Sequence, residues 1–418
     1  MRPISCLLLL RSFSACALVA LATGIAGCGD AQNTAPLLPP LSAVVLTPVT
    51  DTLQVGQSRV FVATAYDTSG APVAGAGFTW TSSDPAVFTV TNSGRVTALA
   101  EGLALLIASA GGKADTSIVF VYAQNGWAVQ TSNTAANLNG VYFLSDGRKG
   151  FAVGDGGTVR ATTDAGITWV TRVSSTAFNL NDVWFPSASL GFAVGHSGTV
   201  MRTTNGGITW TRLSNLGTGS NLYGVWFTDT AHGWAVGASG TIAKTIDGGN
   251  SWTLRNPTAS QLNSVSFSDT LNGWAVGEGG TIVGTHDGGA SWYVVQPAVT
   301  ATALKSVWRS SNTAAWAVGP GGTMASTSAT VDSLQWNLSN IGASYALEGL
   351  HVASALTAYA VGANGSGLIL KTIDGGISWS PQTANSAQAL NDVWFVDTQR
   401  GWAVGAGGRI VHTSRGGQ

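Results

Sequence analysis

Four aspartates and one asparagine recur in one short motif. A carboxylate held in a fixed setting can work as a general acid or base, or ligate a cation. The copies read TTDAGITW (Thr162 to Trp169), TTNGGITW (Thr203 to Trp210), TIDGGNSW (Thr245 to Trp252), THDGGASW (Thr285 to Trp292) and TIDGGISW (Thr372 to Trp379). Asp164, Asn205, Asp247, Asp287 and Asp374 thus share one slot of a repeat, and at least one whole repeat separates each from the next. So spaced, they do not pair as acid and base or converge on a metal. A turn role fits instead, with the carboxylate accepting backbone N–H groups while glycine supplies the left-handed step. His196, His232, His286, His351 and His412 show no ligand spacing. No catalytic set, metal site or cofactor is implied.

Polar residues that vary within uniform slots are more informative. The residue after each Val-Gly pair is Asp155, His196, Ala238, Glu278, Pro320, Ala363 or Ala406. A second slot holds Asn139, Asn181, Asn263 and Asn391, but Lys305 and Glu348 in two further copies. Asp155, His196, Glu278, Lys305 and Glu348 form a candidate patch for binding a partner.

The elements that position these groups are repeats. Leading leucines at Leu138, Leu180, Leu222, Leu262, Leu304, Leu347 and Leu390 are 40 to 43 residues apart. Each copy reads as four short strands: LNDVWF-like, GWAVG-like, GTIVGT-like after a Gly-rich hairpin, and one opened by the motif's Trp. Seven such copies predict a seven-bladed β-propeller. The last copy ends at TSRGGQ (Thr413 to Gln418), before its Trp, and the missing piece stands ahead of the first copy as Asn125 to Thr131. Trp127 fills the Trp slot, so an N-terminal strand is expected to complete the seventh blade and leave no open sheet edge. Copy five departs from the pattern, because Thr327 to Trp336 is two residues longer than the other motifs. Copy six departs in its hairpin, Gly362 to Gly367, also two residues longer.

Residues Leu41 to Tyr122 lack the repeat and carry Trp80 alone. Alternation in SRVFVATAY (Ser58 to Tyr66) and from Phe88 to Ser109 suits a small immunoglobulin-like sandwich of about eight strands. Ahead of it, Arg2 and Arg11 flank a leucine run, an apolar stretch of small residues continues from Ser12 to Gly27, and the apolar core after Arg11 is too short to span a membrane comfortably. The expected organisation is a signal segment (1–27), a polar tether (28–40), the sandwich (41–123) and the propeller (124–418). Cys6, Cys16 and Cys28 are the three cysteines, so the folded part has no disulfide or thiolate site. Charged residues make up 9% and net charge is -1, which excludes a basic nucleic-acid footprint.

Three resemblances add to this reading. Ile25-Ala26-Gly27-Cys28 resembles the lipobox of bacterial lipoproteins, which implies lipidation at Cys28 and an anchor in the cell envelope, at the outer membrane or cell surface. VGQ (Val55 to Gln57), ATAYDTSG (Ala63 to Gly70), WTSSDPAVFTV (Trp80 to Val90) and SGRVTALAEG (Ser93 to Gly102) resemble the group 2 bacterial immunoglobulin-like domain. A single copy implies a spacer. GWAVG, GGTI and TxDGGxSW resemble the photosystem II stability and assembly factor family and related Asp-box (BNR-type) propellers, across about Trp127 to Gln418. That resemblance implies a non-enzymatic assembly role, structural Asp-box residues, and hairpins on the face opposite the boxes, near the ring opening.

Asp boxes also occur in sialidases, which need an arginine cluster, a Tyr nucleophile with a carboxylate base, and an acid. The propeller segment holds two glutamates, Glu278 and Glu348, and its five tyrosines share no slot with an acid. Xyloglucanase-type enzymes use two tandem propellers, and one is present. The expectation is therefore non-catalytic binding of an envelope or membrane protein, with glycan binding as the alternative and hydrolysis third.

Overall fold

The computed structural model describes residues 39–418 apart from Glu101, 123–125, Asn215, Pro297, Ser310, 312–313, 329–334 and Gln418. The signal segment, Cys28 and the tether up to residue 38 lie outside the described residues, as do Asn125 of the closing segment and much of the copy-five motif. No α-helix occurs among the described residues.

Nine strands from Leu41–Thr47 to Lys113–Tyr122 build the sandwich. Along Gly102–Ala110 every second residue is buried, all on the same face, because side chains alternate across a strand. That strand pairs antiparallel with Lys113–Tyr122, which also takes Thr50–Gln54 as a parallel neighbour. Leu46, Phe61, Phe88, Val96, Leu106 and Val119 fill the core.

Seven four-stranded antiparallel sheets follow. They are numbered as blades 1 to 7 by their inner strands: Leu138–Phe143, Leu180–Trp184, Leu222–Phe227, Leu262–Phe267, Ser306–Arg309, Ala346–Val352 and Leu390–Phe395. Each inner strand packs on both neighbouring inner strands, including blade 7 on blade 1, so the ring is closed. The second strands are buried along their whole length, save Ala363 at the end of the blade 6 strand. Their glycines allow close approach: a Cβ on Gly154 would clash with the Asn137 carbonyl oxygen.

Blade 7 is composite. Leu390–Phe395, Gly401–Gly405 and Ile410–Thr413 are completed by Ala128–Gln130, with Ala128 opposite His412 and Gln130 opposite Ile410. Trp127 is wholly buried, edge-on to Phe395 at 5.6 Å and to Tyr359 at 6.3 Å. Arg160 Nε donates to the Ser132 carbonyl at 2.6 Å, and Asn385 Nδ2 donates to the Trp127 carbonyl at 2.6 Å. The closing strand expected from the repeat pattern is therefore present and clamped from blades 1 and 6.

Register sets the two faces. In blade 1 Leu138 lies opposite Gly154, while Phe143 and Thr162 both lie opposite Gly150. The hairpin after Gly154 is thus at one face of the ring, and the Asp-box turn after Thr162 is at the other.

Candidate functional site

The Asp-box turns are self-contained. Asp247 accepts from Thr245 Oγ1 at 2.8 Å, the Ser251 amide at 2.9 Å and Ser251 Oγ at 2.6 Å. The Ser251 hydroxyl and amide hold its carboxyl down to about 2, and the Ser378 hydroxyl and amide do the same for Asp374. Asn205 makes the same turn without a charge: Oδ1 accepts from Thr203 Oγ1 and the Thr209 amide, while Nδ2 donates to Thr209 Oγ1. What the turn needs is an oxygen acceptor at that point, so these residues, Asp164 and Asp287 included, act as turn formers.

The hairpin face is organised by two sets of asparagine ties. In the first, an inner-strand amide donates to the leading leucine carbonyl of the next blade: Asn139 to Leu180 at 3.0 Å, Asn181 to Leu222 at 2.6 Å, Asn263 to Leu304 at 2.9 Å and Asn391 to Leu138 at 2.9 Å. In the second, the amide oxygen just before the leucine accepts from the preceding blade's hairpin: Asn137 from Gly407, Asn179 from Gly156 and Asn221 from Ser197. Both sets are local devices that satisfy backbone groups at the joints between sheets.

Blade 3 carries Tyr223 in the slot of the first ties, and blades 5 to 7 depart further. Lys305 and Glu348 stand in the slot of the first ties, and Ala303, Ala346 and Ala389 in the slot of the second. Lys305 Nζ turns to Glu278 Oε1 at 2.9 Å, which also accepts from Asn263 Nδ2 at 3.1 Å. The Lys305 ammonium holds the Glu278 carboxyl below its ordinary value. Glu348 is part-buried and makes no hydrogen bond or ion pair among the described residues, and burial pushes its carboxyl up. It feels the charges of both Lys305 and Glu278, so the three side chains share one neighbourhood. The longer hairpin of blade 6 exposes Asn364, Gly365 and Ser366 at the same face.

The structure thus divides the five residues singled out in the sequence. Glu278, Lys305 and Glu348 come together. Asp155 instead accepts from Asn137 Nδ2 at 2.9 Å and Asn139 Nδ2 at 3.1 Å, as part of the blade 1 joint. His196 lies edge-on to Tyr223, centroids 6.4 Å apart, over blades 2 and 3.

Below the mouth lies a layer that sequence reasoning missed. Asp182 and Asp392 line a small cavity of about 60 Å³ in the channel, with Ser264 and Ser306. Each carboxylate ties a joint: Asp182 Oδ2 accepts from the Val225 amide at 2.8 Å, and Asp392 Oδ2 from the Val141 amide at 2.9 Å. Burial pushes Asp182 well above the carboxylate range, repulsion from Asp392 adds to it, and burial raises Asp392 to about 6. The signal was available, since aspartate stands where other copies have Gly or Ser. Next, towards the Asp-box face, Tyr142, Trp184, Trp226, Trp308, His351 and Trp394 form an aromatic plug, with centroids such as Trp184–Trp226 at 4.1 Å and Trp308–His351 at 4.1 Å. Burial lowers His351 to about 3, so the ring is neutral.

Comparisons with known proteins agree with this architecture. The family model for photosynthesis system II assembly factor YCF48 matches residues 120–216, 212–298 and 295–414, and that for the bacterial Ig-like domain (group 2) matches 41–118. The structure of YCF48 bound to D1 peptide is 21% identical, with a TM-score of 0.58, covering 69% of this chain and 97% of that one. YCF48 from Cyanidioschyzon merolae is also 21% identical, with a TM-score of 0.58, covering 69% of this chain and 98% of that one. A catalytically inactive virginiamycin B lyase from Staphylococcus aureus with quinupristin is 10% identical, with a TM-score of 0.58, covering 69% of this chain and 99% of that one. At these identities the structural likenesses show the fold alone. No curated protein matches the chain.

Proposed function

The chain belongs to the family of photosynthesis system II assembly factor YCF48, and from that premise we propose that its propeller is a non-catalytic module that holds a polypeptide partner. The site of choice is the hairpin-face mouth of the channel over blades 4 to 6. One observation carries this reading: in a ring of equivalent slots, Glu348 gives up the joint-forming amide and leaves a part-buried carboxylate without a partner. A half-buried, unpaired ionisable group has a structural cost and marks a functional-site candidate. A solved YCF48 is seen with a D1 peptide, so a propeller of this type takes a polypeptide. Sugar stacking gains no support, because no Trp or Tyr among the described residues is exposed and Phe178, at 40%, is the exposed aromatic ring.

The remaining part of the proposal is location. The lipobox-like Ile25 to Cys28 supports an envelope lipoprotein, with the immunoglobulin-like domain as spacer and a membrane or envelope protein as partner. Radiolabelled palmitate should enter the full chain and be lost in Cys28→Ala; equal labelling of both would reject the anchor. Placement of the partner is tested with a photo-crosslinking residue at Asn364 on the hairpin face or at Ile377 on the Asp-box face. One defined protein captured from native membranes at Asn364 alone is the expected result. Capture at Ile377 alone would move the site to the other face, and capture at neither would remove the scaffold reading.

A further inference from the structure

Donors and acceptors at the joints of blades 5 to 7 do not balance. At four joints an asparagine N–H meets the leucine carbonyl of the next blade. Tyr223 in the blade 3 slot leaves the Leu262 carbonyl without such a donor, and at the joints of blades 5 to 7 no described side chain donates to the carbonyls of Leu347 and Leu390. The Lys305 ammonium is turned away to Glu278. Glu348, which stands in the donor slot for Leu390, carries no donor when ionised. Leu347 and Leu390 are wholly buried, so the acceptors open to a ligand are the Glu348 carboxylate and the second oxygen of Glu278. Ala346 and Ala389 stand where other joints carry asparagine, and Ala363 and Ala406 occupy the hairpin slots of blades 6 and 7, so the side chains around Glu348 are small. With two carboxylates against one ammonium, this part of the mouth has a negative balance.

Resting on the reading of this mouth as a polypeptide site, we infer that the unpartnered Glu348 beside the Lys305–Glu278 pair receives a cationic N–H group of the partner, in competition with Lys305. The chemistry is that of a Lys or Arg side chain or a chain-terminal ammonium. Each can donate to a carboxylate, and charge-assisted bonds of this kind are the stronger class. Lys305 then acts as a resident counter-ion. It lessens repulsion between Glu278 and Glu348 in the free protein, and its attraction for those groups is shared once the ligand arrives. Specificity follows from the same balance, since an acidic or apolar segment would leave the acceptors unmatched.

Opposite responses to two substitutions separate this role from a structural one. A random peptide display library is selected on the full chain, and enriched peptides are resynthesised with and without an N-terminal acetyl cap and with each Lys or Arg changed to Gln. Enriched peptides should carry a basic residue or depend on a free terminus. Their affinity should fall about tenfold or more in Glu348→Gln, a change of about 1.4 kcal/mol or more, and rise severalfold in Lys305→Gln. Loss on acetylation identifies the terminal ammonium; loss on Lys or Arg to Gln identifies the side chain. Peptides that bind Glu348→Gln as well as wild type, or that weaken in both variants alike, would overturn the inference while leaving a peptide site in place. If no peptide is enriched, or none crosslinks through Asn364, the underlying reading of the mouth fails and the inference with it.

Discussion

Replacing His351 with Phe should change how the propeller responds to acid. The imidazole is 4% exposed, packed against Trp308 at 4.1 Å and Trp394 at 4.7 Å, and its Nδ1 has no hydrogen-bond partner. Burial lowers its pKa from 6.5 to about 3. The unfolded chain therefore takes up a proton below about 6.5 while the folded chain does not. Stability from this residue is fully present above that value and is lost as pH falls towards 3. Linkage puts the loss at roughly 1.5 kcal/mol at pH 5.5 and roughly 3 kcal/mol at pH 4.5. Phenylalanine keeps the plug filled, removes the unpaired nitrogen and does not titrate. The variant should thus be modestly more stable at pH 8, with an advantage that widens by about 3 kcal/mol at pH 4.5. For a unit of this size that is about 5–10 °C in thermal midpoint. Differential scanning calorimetry of both proteins from pH 8 to 4.5 provides the assay, and the other titrating groups cancel in the difference. Parallel midpoint curves would refute a neutral, buried His351.

Asp392 should show the reverse slope. Its folded pKa of about 6 lies above the ordinary 3.8, so its contribution is present below 3.8 and lost as pH rises through 6; Asp392→Asn, which keeps the acceptor for Val141, should stabilise by roughly 1–3 kcal/mol above pH 7, fading by pH 4, and a uniform loss in urea titrations at both pH values would contradict this. Asp247→Asn should leave the thermal midpoint within a degree or two, as Asn205 serves blade 2, whereas Asp247→Ala should cost about 1–2 kcal/mol through lost turn hydrogen bonds; equal losses would show that charge is what the turn requires. Trp127→Ala should cost about 3–5 kcal/mol and raise protease sensitivity near Ile410–Thr413, and an unaffected midpoint would mean that the ring closes without this side chain.

The architecture was legible because each repeat writes its own register. Leucines and tryptophans at fixed steps mark the inner strand and the blade-to-blade wedge, and the missing final Trp pointed to Trp127. The charged mouth was legible in part, since Lys305 and Glu348 stood out against asparagine. What those asparagines do was not. Register shifts of the kind seen between Leu138 and Gly140 redirect the amide across the joint, and a linear pattern of alternating residues does not reveal such a shift. Asp155 looked like Glu278 in the alignment of repeats, yet Asn137 and Asn139 absorb it. Asp182 and Asp392 were passed over because an acid amid strand residues resembles an outward-facing one. Only closure of the ring turns that face inward.

The composite blade also sets a clock on synthesis. Ala128 and His412 are partners in the sheet, yet roughly 280 residues separate them, which at ordinary elongation rates is about 15–60 s on the ribosome. The sandwich and several blades can be complete before the outer edge of blade 7 finds its strand. During that interval the nascent chain presents a Trp-led strand at one end and an uncovered sheet at the other. The loop to be closed is long, but its entropy grows only slowly with length. Delay, more than chain entropy, is then the hazard, and a chain stalled before Ile410 would remain an open arc with sticky ends.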